Sequence, residues 1–208
     1  MHAEAIAHLS AADKVLARLI KKVGPCTMEL KRRQPFQALV TAVTHQQLNG
    51  TAAMTILKRV IAIYPGKRFP APEDLLATPD ERLRAAGLSR AKTAALKDLA
   101  AKTLSGVVPD LRAVSKMSDA ELVERLTTVR GVGPWTVEML LMFTLGRPDV
   151  LPVADFGVRK GFAVTYGLAD LPTPKALLAH GERWRPHRTT ASWYLWRALD
   201  LPRKSSAK

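Results

Sequence analysis

LTTVRGVGPWTVEMLLMFTLGRPDVLPVAD, residues 126–155, is the stretch that governs how this chain folds. Gly131 and Gly133 flank one aliphatic residue, and glycines permit a tight turn with positive φ and leave backbone amides uncovered by side chains. Pro134 suits the first turn of a helix because its φ is already helical. The pattern therefore predicts two helices joined by a short hairpin loop, followed by a second loop that carries Asp155.

The unpaired amides of such a hairpin are suited to binding an anion such as phosphate. Apolar side chains recur with helical spacing on both sides of the loop, so the two helices can pack together with Val132 at the corner. Short glycine motifs also occur without any ligand, so a hairpin that only packs is an alternative at this point. The apolar side chains are Leu122, Leu126, Val129, Val137, Leu140 and Leu141.

The composition favours a folded protein with a polyanionic partner. The chain has 208 residues, of which 47% are hydrophobic, and this is enough for a buried core. Its 32 Lys and Arg residues outnumber 18 Asp and Glu residues, and the net charge of +14 points above all to nucleic acid. No apolar run is long enough to cross a bilayer, and the first residues do not resemble a secretory signal. We expect a soluble, intracellular protein with no membrane partner.

A single cysteine, Cys26, restricts the cofactor chemistry. One thiol cannot form an internal disulfide, a four-cysteine zinc site or an iron–sulfur cluster held by four thiolates. His45, His180 and His187 show no metal-ligand spacing, and the signature of the zinc deaminases is missing. The sequence therefore predicts no required cofactor and no iron–sulfur cluster.

Helical spacing, capping residues and stops at glycine or proline predict helices along the whole chain, and no segment alternates like a β-strand. The fold is therefore predicted to be all-α. Ser10 is the expected N-cap of the first helix, and the basic tail 203–208 is expected to be disordered. The predicted helices cover residues 10–22, 35–46, 52–64, 73–77, 80–86, 90–104, two helices within 118–145, and 156–166, 174–181 and 189–199.

Two motifs together resemble a known superfamily. GVGPWT at 131–136 followed by LPVADFGVRKGF at 151–162 is similar to the helix-hairpin-helix DNA glycosylases, which share the hairpin, a Gly/Pro-rich loop and an aspartate. ERWRPHRTTASWYLWRAL at 182–199 and QQLNG at 46–50 resemble the alkylbase branch of that superfamily, the 3-methyladenine DNA glycosylase II type. The resemblance extends from about residue 35 to residue 199.

The resemblance implies two helical lobes with a cleft between them. One lobe would combine residues 1–34 with 150–208, and the other would comprise residues 35–149 with the hairpin at 118–145. It also implies a DNA repair enzyme that flips out alkylated purines, such as 3-methyladenine and 7-methylguanine, and hydrolyses the N-glycosidic bond. Its partner would be double-stranded DNA containing damaged bases. We expect it to act as a monomer in the cytoplasm, associated with the nucleoid.

Asp155 is the residue that the resemblance assigns to catalysis. The sugar gains positive charge as the glycosidic bond breaks, and a nearby carboxylate stabilises that charge. The local sequence equally supports Asp155 as the N-cap of the following helix, and the two roles are compatible. Bifunctional relatives carry a lysine nucleophile one residue after Pro134, where this chain has Trp135. The prediction is a monofunctional enzyme that forms no Schiff base.

Trp135 and Trp184 match aromatic positions that bind the base in the alkylbase branch, where a ring face attracts a cationic purine. Met139 stands where well-known members have a tyrosine. Each tryptophan taken alone is more typical of a core residue. Leu48, with Gln47, matches the wedge that fills the gap left by the flipped base. Core packing is the alternative for Leu48.

The resemblance also implies contacts to the DNA backbone. The amides after Gly131 and Gly133, on either side of Val132, would bind a phosphate without reading sequence. A sodium or potassium ion would bridge to that phosphate from hairpin carbonyls. Arg188 is a further candidate phosphate contact, with a solvated arginine as the alternative. The implied ion ligands are the carbonyls of Thr127, Val129 and Val132.

Two other functions are consistent with the same motifs. One is a helix-hairpin-helix module that binds DNA without catalysis. The other is a glycosylase for oxidised, deaminated or mismatched bases. Loss of base release on changing Asp155 to Asn, with DNA binding retained, would separate the enzyme from the module. The bases released from damaged duplexes would separate the two kinds of enzyme.

Overall fold

The computed structural model describes residues 2–202, which form helices and loops without β-strands. The predicted all-α fold class is confirmed. Within these residues, no helix combines the length and apolar character that crossing a membrane requires. The basic tail at 203–208, predicted to be disordered, lies outside the described residues.

The chain divides into two compact units. Among the described residues, the first comprises 2–30 and 141–202, and the second is Lys31–Leu140. A five-residue π-helical turn, Leu141–Leu145, and a 3-10 turn, Glu182–Trp184, supplement the α-helices. In chain order the α-helices are α1 (His2–Ala12), α2 (Lys14–Val23), α3 (Pro35–His45), α4 (Gly50–Ala62), α5 (Pro72–Ala77), α6 (Asp80–Ala85), α7 (Arg90–Leu104), α8 (Leu111–Val114), α9 (Asp119–Leu126), α10 (Pro134–Leu140), α11 (Phe156–Tyr166), α12 (Pro174–Gly181) and α13 (Arg188–Arg197).

α7 is the central helix of the second unit. The Ser89 hydroxyl caps its start by accepting a hydrogen bond from the Lys92 amide at 3.2 Å. Leu96 and Leu99 lie on its buried face, and burying a leucine side chain contributes about 1.5–3 kcal/mol. α3, α5 and α6 pack against this helix. The packing fixes the C-terminal end of α3, which leads into the loop at residues 46–50.

In the first unit, α11 packs against α13 at very short range. A Cβ atom added at Gly161 would lie 1.9 Å from the carbonyl oxygen of Leu195, so only glycine fits. This close contact fixes the middle of α11, the helix whose N-cap is Asp155, against α13. The core around it includes Leu9, Leu16, Phe162, Leu177, Trp184 and Tyr194.

The predicted start of the first helix is wrong. α1 runs through Ser10, and α2 begins only after Asp13, whose Oδ1 accepts hydrogen bonds from the Val15 and Leu16 amides at 2.9 and 3.0 Å. Two helices thus replace the one predicted, because a one-residue break leaves the apolar periodicity almost unchanged. The one-turn helix α8 was missed because four residues are too few to show periodicity.

Residues 141–149 belong to the first unit and not, as predicted, to the unit that contains the hairpin, whereas residues 31–34 belong to the second unit and not, as predicted, to the first. The Thr189 amide donates to the Pro148 carbonyl at 3.0 Å, and the Thr189 hydroxyl donates to the Arg147 carbonyl at 2.7 Å. These bonds tie the segment to the start of α13. The sequence did not reveal them because the partners lie about 40 residues apart.

Candidate functional site

The hairpin loop, residues 127–133, joins α9 to α10 within the second unit. A capping box starts α9: the Glu121 amide donates to the Ser118 hydroxyl at 3.2 Å, and the Ser118 amide donates to the Glu121 carboxylate at 2.7 Å. At the corner, the buried Val132 donates its amide to the Val129 carbonyl at 3.0 Å. The loop is therefore fixed at both ends by helices that pack against each other.

The two glycines of the hairpin differ in whether the fold requires a glycine at that position. Gly131 has φ +76°, and a Cβ atom there would lie 3.2 Å from the Cβ of Ala95, so the fold itself needs glycine. Gly133 does not have a positive φ, and a Cβ atom there would meet nothing within 4 Å. Positive φ was expected at both glycines and occurs only at Gly131. Packing does not explain the glycine at 133, and its absent side chain leaves the backbone open to a ligand.

The amides of the hairpin loop divide into paired and unpaired donors. The Arg130 amide donates to Asp98 at 2.7 Å, whereas neither the Gly131 nor the Gly133 amide has an acceptor within residues 2–202. Burial raises the pKa of Asp98, but hydrogen bonds from the Arg130 amide and Lys102 lower it further, so this carboxylate stays ionised. The two glycine amides are therefore the hairpin donors that remain for an anion.

The wedge loop, residues 46–50, is tied to the hairpin and to α7. The Gln46 side chain donates to the Gly131 carbonyl at 2.8 Å and lies 3.5 Å from the Thr136 hydroxyl. The Lys92 ammonium donates to the carbonyls of Thr44 and Gln46, each at 2.8 Å, and burial lowers the pKa of this lysine. These bonds hold the loop against the hairpin.

At the tip of the wedge loop, Gln47 has φ +56°, a positive value found at no other non-glycine residue of the described chain. Such a conformation is costly for a residue with a side chain and persists only where surrounding contacts impose it. Leu48 follows and is 40% exposed. The observed exposure disagrees with core packing, the alternative considered for Leu48, and leaves the wedge interpretation available.

A cavity of about 370 Å³ opens beside this loop, within the second unit. Trp135 and Met139 lie one turn apart on α10, so both face the cavity, and Trp135 is 47% exposed. The sequence indicated Trp135, Met139 and Gln47 as site residues, but it did not indicate the other residues that line the cavity. The lining residues are Ala42, His45, Gln46, Gln47, Trp135, Thr136 and Met139.

Asp155 lies in the first unit as the N-cap of α11. Its Oδ1 accepts hydrogen bonds from the Val158 amide at 2.7 Å and from the Trp196 indole at 2.8 Å, and the residue is half-buried. A Cβ atom at Gly157 would lie 2.8 Å from the Trp196 ring and 3.1 Å from that Oδ1. Glycine at 157 therefore lets the indole reach the carboxylate.

Trp196 is a site residue that the sequence did not reveal. Its ring stacks on Phe143 with 5.8 Å between centroids, which fixes the direction in which the indole N–H points. It lies 41 residues after Asp155, and only its place in a segment rich in aromatic residues offered a signal.

The predicted role of Trp184 in a base pocket is wrong. Its side chain has 0% exposure, and its indole donates to Asp13 Oδ2 at 3.1 Å. A buried indole N–H needs an acceptor, and the acceptor here lies inside the core. Core packing, the alternative considered for this residue, describes what the structure shows.

The predicted phosphate contact of Arg188 is also wrong. The residue is 9% exposed, and its guanidinium donates to Asp149 Oδ1 at 2.7 Å and to the Asp149 carbonyl at 2.8 Å. Glu182 lies 3.4 Å from the third nitrogen of the same group. A carboxylate and a carbonyl of the same unit already take the donors that a phosphate would need.

The hairpin carbonyls have the chemistry that a monovalent cation prefers, since they are uncharged oxygen ligands on one short loop. The Val129 carbonyl accepts the Val132 amide and keeps a second lone pair, while those of Thr127 and Val132 accept no hydrogen bond from residues 2–202. These oxygens are compatible with sodium or potassium. No group of three or more His, Cys, Asp or Glu side chains suited to a metal occurs in the described part of the chain.

A helix–hairpin–helix element with open glycine amides, an exposed aliphatic residue on the adjoining loop and a tryptophan-lined cavity define a helix-hairpin-helix protein. Residues 40–186 match the HhH-GPD superfamily of base excision DNA repair proteins, and the chain belongs to this superfamily. The sequence-based assignment is confirmed.

Similar proteins cover nearly the whole chain. DNA-3-methyladenine glycosylase 1 of Schizosaccharomyces pombe is 40% identical over 196 residues, 93% of this chain and 86% of that protein. A solved structure of 3-methyladenine DNA glycosylase from S. pombe, in complex with abasic DNA, has a TM-score of 0.83 and 41% identity over 95% of this chain and 97% of that one. A DNA-3-methyladenine glycosidase from Bacillus halodurans has a TM-score of 0.85 and 36% identity, covering 93% and 88%.

Proposed function

We propose that this protein is a monofunctional DNA glycosylase that excises alkylated purines, of the 3-methyladenine and 7-methylguanine type, from double-stranded DNA. The observation that carries the proposal is Asp155, a half-buried carboxylate held by two donors at the start of α11, in a chain 40% identical to a named 3-methyladenine glycosylase. The other parts of the site each supply one step.

The hairpin loop would hold the DNA backbone. The amides of Gly131 and Gly133 donate to a phosphate without reading sequence, which suits an enzyme that must search all DNA. A sodium or potassium ion on the carbonyls of Thr127, Val129 and Val132 would supply positive charge beside the same phosphate. The net charge of +14 adds long-range attraction that falls with salt.

The wedge loop would keep the nucleotide out of the stack. Leu48 is exposed on a loop held by Gln46 and Lys92, so it can enter the duplex without losing a place in the core. An aliphatic side chain between base steps stabilises a kinked duplex after the nucleotide has left.

The cavity beside the loop would receive the base. Trp135 presents an exposed ring there, and a purine alkylated at a ring nitrogen is cationic. Attraction of a desolvated cation to a tryptophan face contributes about 2 kcal/mol. Met139 adds a flexible, polarisable wall that adapts to bases of different shape. The cavity would thus select damage by charge.

Hydrolysis would then need one carboxylate. Water adds to C1′ of the sugar and releases one proton to solvent, the N-glycosidic bond breaks, and its electron pair passes to the cationic base, which leaves neutral without a general acid. The sugar is positive at the transition state, and Asp155 at about 4 Å would stabilise it by roughly 4 kcal/mol at an effective dielectric of about 20. This corresponds to nearly three decades of rate. Capping α11 and stabilising the sugar are compatible roles of this side chain.

The enzyme would leave an intact abasic strand. Trp135 stands directly after Pro134, and an indole cannot form a Schiff base with the sugar. Borohydride treatment during turnover is expected to trap no covalent adduct with DNA. We further propose that the protein acts as a monomer in the cytoplasm, in association with the nucleoid.

The test is base release from duplexes containing 3-methyladenine, 7-methylguanine, hypoxanthine or 8-oxoguanine. We expect release of the alkylated purines, and loss of release in Asp155→Asn with DNA affinity retained. Asp170→Asn removes the same charge from an exposed loop of the same unit and serves as the control. A wild type that binds DNA but releases none of these bases would be a binding module, and one that releases only 8-oxoguanine or hypoxanthine would be a different glycosylase.

A further inference from the structure

His45 lines the cavity that would receive the base in the proposed function. It has no role in the proposed steps of DNA binding, base flipping or hydrolysis. It is the last residue of α3, and Ala42, one turn earlier, lines the same cavity. Residues three apart on a helix share a face, so the imidazole lies on the face of α3 that forms the wall. The ring is half-buried.

One hydrogen bond fixes the proton arrangement of the ring. Nδ1 of His45 lies 2.8 Å from the carbonyl oxygen of Thr41. A carbonyl can only accept, so Nδ1 carries the proton and donates. In the neutral imidazole, Nε2 then presents a lone pair, and within residues 2–202 no group donates to it.

The other polar side chains of the wall are differently placed. The Gln46 side chain already donates to the Gly131 carbonyl, and the Thr136 hydroxyl lies 3.5 Å from the same Gln46 nitrogen. Gln47 lies at the exposed tip of the wedge loop. Trp135 and Met139 stack on a base but cannot tell one base edge from another. His45 therefore offers an acceptor whose direction is fixed by a hydrogen bond to the backbone, in a wall whose other polar side chains are those of Gln46, Gln47 and Thr136.

We propose that His45 is a specificity-determining residue, whose Nε2 accepts a hydrogen bond from an N–H donor on the edge of the flipped purine. Binding sites of this kind combine apolar walls with a few placed polar groups that fix the ligand's orientation. This inference rests on the proposed function, because it requires the cavity to hold a base.

The damaged bases differ in whether they carry an N–H donor that His45 could accept from. 3-Methyladenine keeps its exocyclic amine, and 7-methylguanine keeps both an amine and a ring N–H. In 1,N6-ethenoadenine the etheno bridge removes every N–H donor from that edge. A base without a donor would cover the His45 acceptor without pairing it, which carries a desolvation cost. His45 thus favours alkylated purines with an intact donor edge over bridged ones.

The experiment compares His45→Phe with wild type in single-turnover base release from duplexes containing 7-methylguanine, 3-methyladenine or 1,N6-ethenoadenine. Phenylalanine keeps a flat ring in the wall and removes the acceptor. His45→Ala removes the acceptor without filling the wall, which covers the case in which the larger ring blocks entry. His2→Phe, in the first unit, is the matched control, and thermal unfolding verifies that each variant folds.

We expect both His45 variants to release the two donor-bearing bases about tenfold more slowly, and 1,N6-ethenoadenine within about twofold of the wild-type rate or faster. His2→Phe should leave all three rates unchanged. Equal losses on all three bases, or unchanged release of the donor-bearing bases, would overturn the role of His45 while leaving the proposed function intact. Release of no base by the wild type would overturn the proposed function itself.

Discussion

Two aspartates of the first unit occupy the same local position in very different surroundings. Asp13 is the N-cap of α2 and Asp155 the N-cap of α11, and each accepts a hydrogen bond from a tryptophan indole. Asp13 is 5% exposed, whereas Asp155 is half-buried. An N-cap aspartate can therefore be enclosed in the core, as Asp13 is, or partly exposed, as Asp155 is, and only the second is open to the catalytic role that we propose.

The surroundings of Asp13 show what a structural anchor requires. A buried carboxylate is stable only when its oxygens are satisfied, and five donors surround this one. The donors are the amides of Val15 and Leu16, the Tyr166 hydroxyl, the His180 ring and the Trp184 indole. Such a carboxylate cannot approach a substrate. The following substitutions test the contrast with Asp155.

Asp155→Asn should have the largest effect. Asparagine caps a helix about as well as aspartate, so the free energy of unfolding should change by less than about 1 kcal/mol. The negative charge that the proposed function places beside the sugar is lost, so single-turnover base release should fall about 1000-fold. Rapid-quench measurement of base release and urea unfolding provide the two values. A loss of less than about tenfold would remove Asp155 from catalysis.

Asp13→Asn should show the opposite pattern. The amide nitrogen can only donate, so it opposes some of the donors around Asp13, and the buried charge is lost. The free energy of unfolding should fall by about 3 kcal/mol, measured by urea unfolding. The base-release rate of the folded enzyme should stay within about twofold of wild type. A rate loss comparable to that of Asp155→Asn would end the distinction between the two caps.

Acid should remove the stabilisation by Asp13 over a defined range. Burial raises the pKa of Asp13, but hydrogen bonds from Tyr166, the Leu16 amide and His180 lower it more, to about 2 from 3.8. Because the folded-state pKa is depressed, this stabilisation, about 2.5 kcal/mol, is complete above about pH 4 and is lost as the pH falls towards about 2. Urea unfolding between about pH 5 and pH 2 should show this loss in wild type and not in Asp13→Asn.

His180 should cause a separate loss of stability, which begins at a higher pH than the loss due to Asp13. Burial lowers the pKa of His180 from 6.5, so the unfolded chain binds a proton more readily than the folded one. Stability therefore falls as the pH drops below about 6.5. This component should be absent from His180→Phe. A wild-type stability that does not change between about pH 7 and pH 2 would contradict both assignments.

Substituting the two tryptophans should separate catalysis from stability in the same way as substituting the two aspartates. Trp196→Phe keeps the stacking on Phe143 but removes a hydrogen bond to Asp155, so base release should fall about tenfold with a stability loss near 1 kcal/mol. Trp184→Phe leaves a buried oxygen of Asp13 short of a donor and should cost about 1–3 kcal/mol of stability without slowing release. Equal losses of base-release rate in both variants would contradict a catalytic role for Trp196 and a structural role for Trp184.

The hairpin glycines of the second unit show the same contrast between a structural and a ligand-binding position. Their substitution should have the smallest effects. Gly131→Ala should lower the free energy of unfolding by about 1–2 kcal/mol, because its φ is left-handed and Ala95 is close. Gly133→Ala meets no neighbouring atom and should leave stability within about 0.5 kcal/mol. The methyl group should nevertheless weaken binding to undamaged duplex DNA about tenfold, measured by fluorescence anisotropy. Unchanged affinity would show that the Gly133 amide binds no phosphate.

The sequence alone determined the features whose causes are local. Ser89 and Ser118 predicted helix starts that the structure confirms, and the helix after Asp155 has the predicted bounds, Phe156–Tyr166. The hairpin was predicted from two glycines and a proline. Caps, turns and helical spacing depend on residues within one or two turns of each other, so they can be read directly from the chain.

The tertiary structure alone decided which of the candidate residues are available to a ligand. Trp184 matched the family as well as Trp135 did, and Arg188 was a candidate phosphate contact, yet Trp184 is buried against Asp13 and Arg188 against Asp149. Their partners lie 171 and 39 residues away, so no local pattern signals the contact. The physical reason is that burial and hydrogen-bond satisfaction depend on distant segments brought together by folding.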